Sequence, residues 1–500
     1  MQKNKVLEKV ISQNRRINYL SSLNNNLLYW DTISSMPPKG IDSRIGLISF
    51  LSEELFLASR QEEFLENIGR LEALPSKSKE LTAMIRKVRD DLKISQLIPR
   101  QEYLDYKALL TQAEAKWKEA REANDFKILQ PYFERVIEYL RDFAAYAGYE
   151  DYPYEGILKF NLIDTDYGRI KEIIGRVKDF SLDLLEEIRA GGRDLDQPIF
   201  QEDFSREGEK TMTGDLLARL GFDFQAGRLD QGHYPTVLPV NSQDVRILAP
   251  FDGPDLRASI TRALHLGSQA IYQQGISPDL EDYGLANPAS MISQEAVASF
   301  YKNYLGKTRS FWKFYYPLVQ DLFPAFKALK LEDFYRALNR VKPGPLRLEA
   351  DELTYNLHTI IRFELEEELI NGELEVKDLP GAWNKKYRDY LGLTPPNDLV
   401  GVLQDVHWVS GYFGYVSNYL LANVFASQLR NTILEEMPDL EAEVEAGNWE
   451  YVKGWFETKI FTHGARYSTE ELIYVVTDES LNEKYFLNYL NEKYRDIYDL

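Results

Sequence analysis

Helical periodicity runs through most of this chain and restricts it to folds made by packing helix on helix. Over the first 190 residues, stretches such as VISQNRRINYLSSLNNNLLYW and EYLDYKALLTQAEAKWKEAREA repeat apolar side chains every three or four positions, the spacing that lines one face of an α-helix. Two-residue alternation is scarce there. Breakers at Met36–Gly40, Tyr152–Tyr154 and Gly191–Pro198 mark turns between helices, none of them long enough for a flexible linker. The stretch His233–Pro250, HYPTVLPVNSQDVRILAP, carries Val, Ile and Pro without a helical period, and one small sheet is expected near 233–250. Helices are expected again over Ser259–Gln274, Gln294–Leu305, Ala350–Leu369, Val402–Gln428 and Glu470–Tyr498, with Arg362 and Glu366 as an i,i+4 pair. The acidic run Glu364–Glu368 reads as a solvated helix face. The expected fold class is mainly α.

Composition narrows the chemistry. With 44% hydrophobic and 13% aromatic residues, the 500-residue chain can bury a large core. Its 59 Lys and Arg against 79 Asp and Glu give a net charge of −20, which offers no bulk attraction for a phosphate backbone, so nucleic acid is not an expected partner. The absence of Cys excludes thiolate metal sites, disulfides and cysteine nucleophiles. Metal chemistry is left to five His, at 233, 265, 358, 407 and 463, no two of which are three or four apart. The start MQKNKVLEKVISQNRR lacks an apolar signal core, and no apolar run approaches the roughly 18 residues of a spanning helix. A cytoplasmic protein without a membrane partner is expected.

Several longer segments carry a resemblance. LRLEADELTYNLHTIIRFELE, VKDLPGAWNKKYRDYLGL, GVLQDVHW (Gly401–Trp408) and GYFGY (Gly411–Tyr415) resemble the thermostable carboxypeptidase Taq family of HExxH metallocarboxypeptidases. LLYWDTISSMPPKG (Leu27–Gly40) is similar to that family's N-terminal segment, GRLD (Gly227–Asp230) to the stretch before its sheet, and THGARYSTEELI (Thr462–Ile473) to its C-terminal signature. The resemblance covers essentially the whole chain. It implies a neurolysin-like, zincin-related helical body with a deep groove, a single domain over residues 1–500 in which 1–190 form a helical half covering the groove and 191–500 a catalytic-type half. It also implies a homodimer and the release of C-terminal residues from peptides with zinc or cobalt.

At the family's active site the chain departs from the pattern. Where the resemblance calls for HExxH, the sequence reads His265-Leu266-Gly267-Ser268-Gln269, and the matching tail AIYQQG (Ala270–Gly275) fixes the register. HExxH works because residues four apart share a helix face, so two imidazoles reach one zinc while the intervening Glu contacts the bound water. Gln269 replaces the second imidazole with an amide, a poor zinc ligand. Leu266 replaces the general base, whose loss typically costs about 10²–10⁴ in rate. The family's third ligand falls on Glu295 in Gln294-Glu295-Ala296-Val297, where Gln294 has replaced a His, and the Asp-x-Arg-x-Thr pattern falls on Asp244–Leu248 without its Thr. No catalytic residue and no complete metal site are therefore expected at His265, Leu266, Gln269 and Glu295, and no cofactor.

Recognition residues are better kept. Arg347 and Arg246 occupy family motif positions and are candidates to hold a peptide C-terminal carboxylate, for which a planar guanidinium is suited. Either could instead form an internal ion pair, Arg347 with Asp351 and Arg246 with Asp244. His407, Tyr412 and Tyr415 are candidates for contact with peptide, and the aromatics at 411–415 could equally belong to the core. The expected function is a pseudo-metallocarboxypeptidase that keeps a peptide-binding groove or a scaffold role. The alternative is an active carboxypeptidase with zinc or cobalt in an atypical site of His265, Glu295 and either Gln269 or His407.

Overall fold

The structure, a computed structural model, describes residues 2–160, 165–202, 204–232, 234–251 and 255–500, without the side chains of 2–4 and 93–96. Almost every element among them is helical, and their strands form one three-stranded sheet. Among the described residues no helix is long and apolar enough to cross a membrane. The chain divides into two compact units, each gathered from three stretches. The first takes Met1–Val88, Gln197–Leu338 and Leu429–Ser480, and the second Arg89–Asp196, Asn339–Gln428 and Leu481–Leu500.

In the first unit, helix α1 (Leu256–Gly275) starts where the Asp255 carboxylate accepts the Arg257 backbone N–H, an N-cap. Its buried residues, among them Leu256, Ile260, Ala263, Leu264, Leu266, Ala270 and Ile271, lie on more than one face, as expected of a helix packed on several sides. It lies against the sheet, the helix Arg206–Arg219 and helix α2 (Met291–Ser299). Gly267 permits the close approach to the helix Arg206–Arg219, since a Cβ there would sit 2.8 Å from the side chains of Leu217 and Leu220. Helix α2 opens with a capping box between Ser290 and Ser293 and runs into a π-helical turn, Phe300–Leu305.

The sheet has the order β1-β3-β2, from β1 (Gly227–Gln231), β2 (Thr236–Asn241) and β3 (Asp244–Ala249), with β1 parallel and β2 antiparallel to β3. Asn241 Oδ1 accepts the Gln243 N–H at 2.8 Å, closing the β2–β3 turn. The small sheet thus lies where the Val- and Ile-bearing stretch placed it. GRLD is itself the first strand rather than a lead-in, and His233 lies outside the described residues.

In the second unit, helix α3 (Glu352–Ile370) is capped by Asp351, which accepts from Leu353 N and Thr354 N at 3.0 and 2.9 Å. This helix is buried along most of its length yet carries polar side chains, several of which reach partners on other elements. Glu352 takes Lys493 Nζ at 2.6 Å, and His358 Nδ1 lies 3.0 Å from the Tyr387 hydroxyl. Arg362 Nε donates to Asp405 at 2.5 Å. Glu366 accepts from Trp408 Nε1, the Gly414 N–H and the Tyr154 hydroxyl at 2.7, 2.7 and 2.8 Å. The expected Arg362–Glu366 pair therefore does not form, because each side chain is claimed by a partner distant in sequence. Nor is the acidic run a solvated face: Glu366 is fully buried, Glu364 is held by Lys178, Lys386 and Tyr390, and Glu367 by Lys171 and Tyr167.

The helix expected over Val402–Gln428 is broken into short turns until Ser417. Gly411 and Gly414 hold φ of +82° and +74°, a left-handed backbone that ends a helix. At Gly411 a Cβ would also lie 2.8 Å from Leu110 Cδ1 and the Tyr106 hydroxyl. Glu470–Tyr498 likewise divides into Thr469–Thr477 and Lys484–Tyr498, with Asp478 at φ +58° between them.

Burial gives the fold an acid sensitivity. The His358 imidazole is held well below the usual histidine range by burial, reinforced by the charges of Arg362 and Arg347. A histidine lowered in the folded state contributes stability that is present above about pH 6.5 and is lost as the pH falls, by up to about 1.4 kcal/mol per unit. Glu366, raised to about 7 by burial, acts in the opposite sense, gaining stability for the fold as pH falls through that value. A difference measurement separates the two. Between pH 7 and 5 in urea unfolding, the wild type is expected to lose stability relative to His358→Gln; parallel pH profiles would refute the assignment.

Candidate functional site

Helix α1 brings His265 and Gln269 onto one face, one turn apart, and α2 sets Glu295 opposite them. Gln269 Nε2 lies 3.2 Å from His265 Nε2 and 2.9 Å from Glu295 Oε1. The imidazole and the carboxylate are themselves 3.8 Å apart. The surrounding protein and the positive charge of Lys302 keep His265 neutral, well below the usual histidine range. An amide nitrogen only donates, so His265 Nε2 is the acceptor and its proton sits on Nδ1. Reversing the amide would turn its oxygen onto the Glu295 carboxylate, so the charge on Glu295 fixes the orientation. Leu266, next to His265 on the same helix, is 4% exposed and part of the core.

These residues do not fit a catalytic zinc or cobalt ion. Three inward-pointing lone pairs are needed, and here the middle residue points hydrogen at both of its neighbours. Turning the amide over would still leave a set of one imidazole, one neutral oxygen and one carboxylate. Among the described residues no group of three or more His, Asp or Glu side chains is placed to hold a metal ion.

Arg246, on the central strand, makes two 2.9 Å hydrogen bonds to Asp244, its neighbour two residues back on β3. The Trp30 ring lies 4.4 Å from its guanidinium and 5.2 Å from that of Arg228, the residue opposite it on β1. The internal ion pair is thus the arrangement present at Arg246.

Arg347 differs from its expectation. Its carboxylate neighbour Asp351 is occupied as the cap of α3, accepting also from Lys342 N and Thr354 Oγ1, so the Arg347–Asp351 pair is absent. Arg347 is 8% exposed and donates to the Tyr355 hydroxyl at 2.9 Å, and its guanidinium lies 5.8 and 5.4 Å from the Tyr355 and Tyr419 rings. Although burial works against its charge, Tyr355 and Asp405 hold its pKa above the ordinary arginine value. From Tyr419 a line of aromatic contacts continues to Tyr415 and then to both His407 and Tyr412, with ring centroids 5.8, 5.5 and 5.6 Å apart. Tyr412 is 53% exposed and Tyr415 half-buried, whereas Phe413 between them packs in the core against Phe133 and Trp408.

His407 is oriented by a group the sequence reading left unassigned. Asp405 Oδ1 accepts the His407 backbone N–H at 3.0 Å and lies 3.1 Å from its Nδ1, while Oδ2 takes the buried Arg362. Asp405 thus engages Nδ1, one of the two ring nitrogens of His407. Asp405 sits inside the quoted QDVHW motif, and a carboxylate two residues before a histidine is the signal that could have marked it. The spacing of His265 and Gln269 already put both on one helix face, but nothing local in the sequence signalled the Gln269–Glu295 bond or the Trp30 stack, which join residues far apart along the chain.

Comparison with known proteins agrees with this architecture. Residues 9–494 match the family described as carboxypeptidase Taq (M32) metallopeptidase. The chain is 35% identical over 474 residues to carboxypeptidase 1 of Bacillus subtilis (strain 168), covering 94% of this chain and 95% of that one. It is 31% identical over 496 residues to thermostable carboxypeptidase 1 of Thermus thermophilus, covering 97% of each. The crystal structure of the M32 carboxypeptidase from Deinococcus radiodurans R1 superposes with a TM-score of 0.95 at 27% identity, over 99% of this chain and 100% of that chain. Matched by the family over residues 9–494 and by a relative 35% identical over nearly its full length, this chain belongs to the carboxypeptidase Taq (M32) metallopeptidase family.

Proposed function

We propose that this protein binds peptide C-termini without cleaving them, as a pseudo-metallocarboxypeptidase of the family to which it belongs. The observation that carries the reading is Leu266: a buried aliphatic side chain stands where a proton acceptor is required, and it can neither deprotonate water nor protonate a leaving amine. Without a fitting donor set, the polarisation and water activation that a zinc ion supplies have no holder. Binding asks for less. Arg347 offers a permanently charged guanidinium held in place by Tyr355, and His407, fixed by Asp405, offers a ring nitrogen. Exposed Tyr412 and half-buried Tyr415 offer flat apolar surface with polar tips. Arg246, in the first unit, is already satisfied by Asp244. The family resemblance carries a homodimer with it.

Two measurements on the purified protein test this. Incubated with a blocked dipeptide and zinc or cobalt, it is expected to release no C-terminal residue; chelator-sensitive release would overturn the reading. For peptide capture, Arg347→Ala is expected to weaken binding of a peptide with a free C-terminus by roughly tenfold or more, the worth of a charge-assisted hydrogen bond. Binding of the same peptide as its C-terminal amide is expected to be unchanged by that substitution. Equal wild-type affinity for acid and amide would remove peptide C-termini as the ligand.

A further inference from the structure

We infer that Gln269 takes over the structural work of a metal ion, tying α1 to α2 through an amide clasp between His265 and Glu295, so that this chain is built to fold and remain folded without a metal. The inference rests on the reading of the site as non-catalytic and goes beyond it by giving the metal-free state its own stabilising contact. A metal would join these two side chains by accepting their lone pairs. The Gln269 amide does the same with its two hydrogens, one toward His265 Nε2 at 3.2 Å and one toward Glu295 Oε1 at 2.9 Å. Both acceptors are thereby engaged. A divalent cation entering there would have to break both hydrogen bonds.

The contact depends on one NH₂ group, which makes near-isosteric tests available. Thermal unfolding of the wild type, Gln269→Met, Gln269→Glu and Gln269→His is to be followed with a chelator and with zinc or cobalt. The wild type is expected to keep the same Tm in both. Gln269→Met, which keeps the length of the side chain but has no donor, should lose roughly 2–4 °C in both. Gln269→Glu and Gln269→His place a third inward lone pair beside His265 and Glu295, so each should be less stable in chelator and recover with metal. A wild-type Tm that rises with metal and falls with chelator would overturn the clasp, as would a Met variant as stable as the wild type. The outcomes are separable from those of the proposed function. Wild-type protein that binds metal yet releases no residue defeats the clasp alone, and residue release by protein with a metal-independent Tm defeats the non-cleaving reading alone.

Discussion

The double variant Leu266→Glu with Gln269→His, loaded with zinc or cobalt, is expected to release C-terminal residues from a blocked dipeptide that the parent leaves intact. The two changes restore different functions. Gln269→His exchanges two inward hydrogens for a lone pair, giving a set of two imidazoles and the Glu295 carboxylate, the donor types of a catalytic zinc site. Leu266→Glu supplies the base, so the double variant should exceed Gln269→His alone by about 10²–10⁴ in rate. The single change Leu266→Glu carries a liability, because position 266 is 4% exposed and a carboxylate there has no partner without the metal. Its expected cost is about 1–3 kcal/mol of stability, and addition of metal to the double variant should recover part of it. Stoichiometric metal in the double variant without any release would show that positions 266 and 269 do not by themselves decide whether the chain cleaves, and attention would turn to Leu248 and Gln294.

Asp405→Ala is expected to be the most destabilising single change in the second unit, by about 3–5 kcal/mol. Asp405 and Arg362 each keep only 1% of their side-chain surface exposed and meet at 2.5 Å. Removing the carboxylate leaves the guanidinium charged and enclosed. Its other contacts, with the His358 carbonyl at 2.9 Å, Gln404 at 3.0 Å and the Trp383 ring, are to neutral groups and do not compensate a charge. The carboxylate also orients His407. Although burial works against its charge, His407 and Arg362 hold its pKa far below the usual carboxylate range. The loss would be read as a lower urea midpoint. Asp405→Asn, which keeps acceptance from His407 but not the charge, should fall between. A fall below about 1 kcal/mol for Asp405→Ala would mean that water or a neighbouring group had taken over the partnership with Arg362.

Much of the architecture could be read from periodicity, since an apolar face repeats wherever a helix has a core to lie on. α1 and α3 fall within a few residues of their expected bounds, and the sheet lies in the stretch that lacks a helical period. Reading failed where local pattern and backbone conformation part company. Val402–Gln428 carries enough apolar residues for a helix, but the positive φ of Gly411 and Gly414 breaks it. Charge patterning failed on α3 for a related reason: i,i+4 spacing assigns Arg362 to Glu366, while the interior assigns it to Asp405, 43 residues away.

For the site, residue identities alone determined what each group can do. An aliphatic carbon at 266 takes no proton, and an amide at 269 contributes no imidazole, wherever the chain places them. Only the tertiary structure decided what those groups do instead. It turned the Gln269 hydrogens onto His265 and Glu295, gave Asp351 to the start of α3 and left Arg347 to Tyr355, and set Asp405 between His407 and Arg362. The physical reason is that donor and acceptor capacity belongs to the residue type, whereas a hydrogen bond requires two atoms within about 3 Å. For atoms far apart along the chain, that distance is set by how the helices pack.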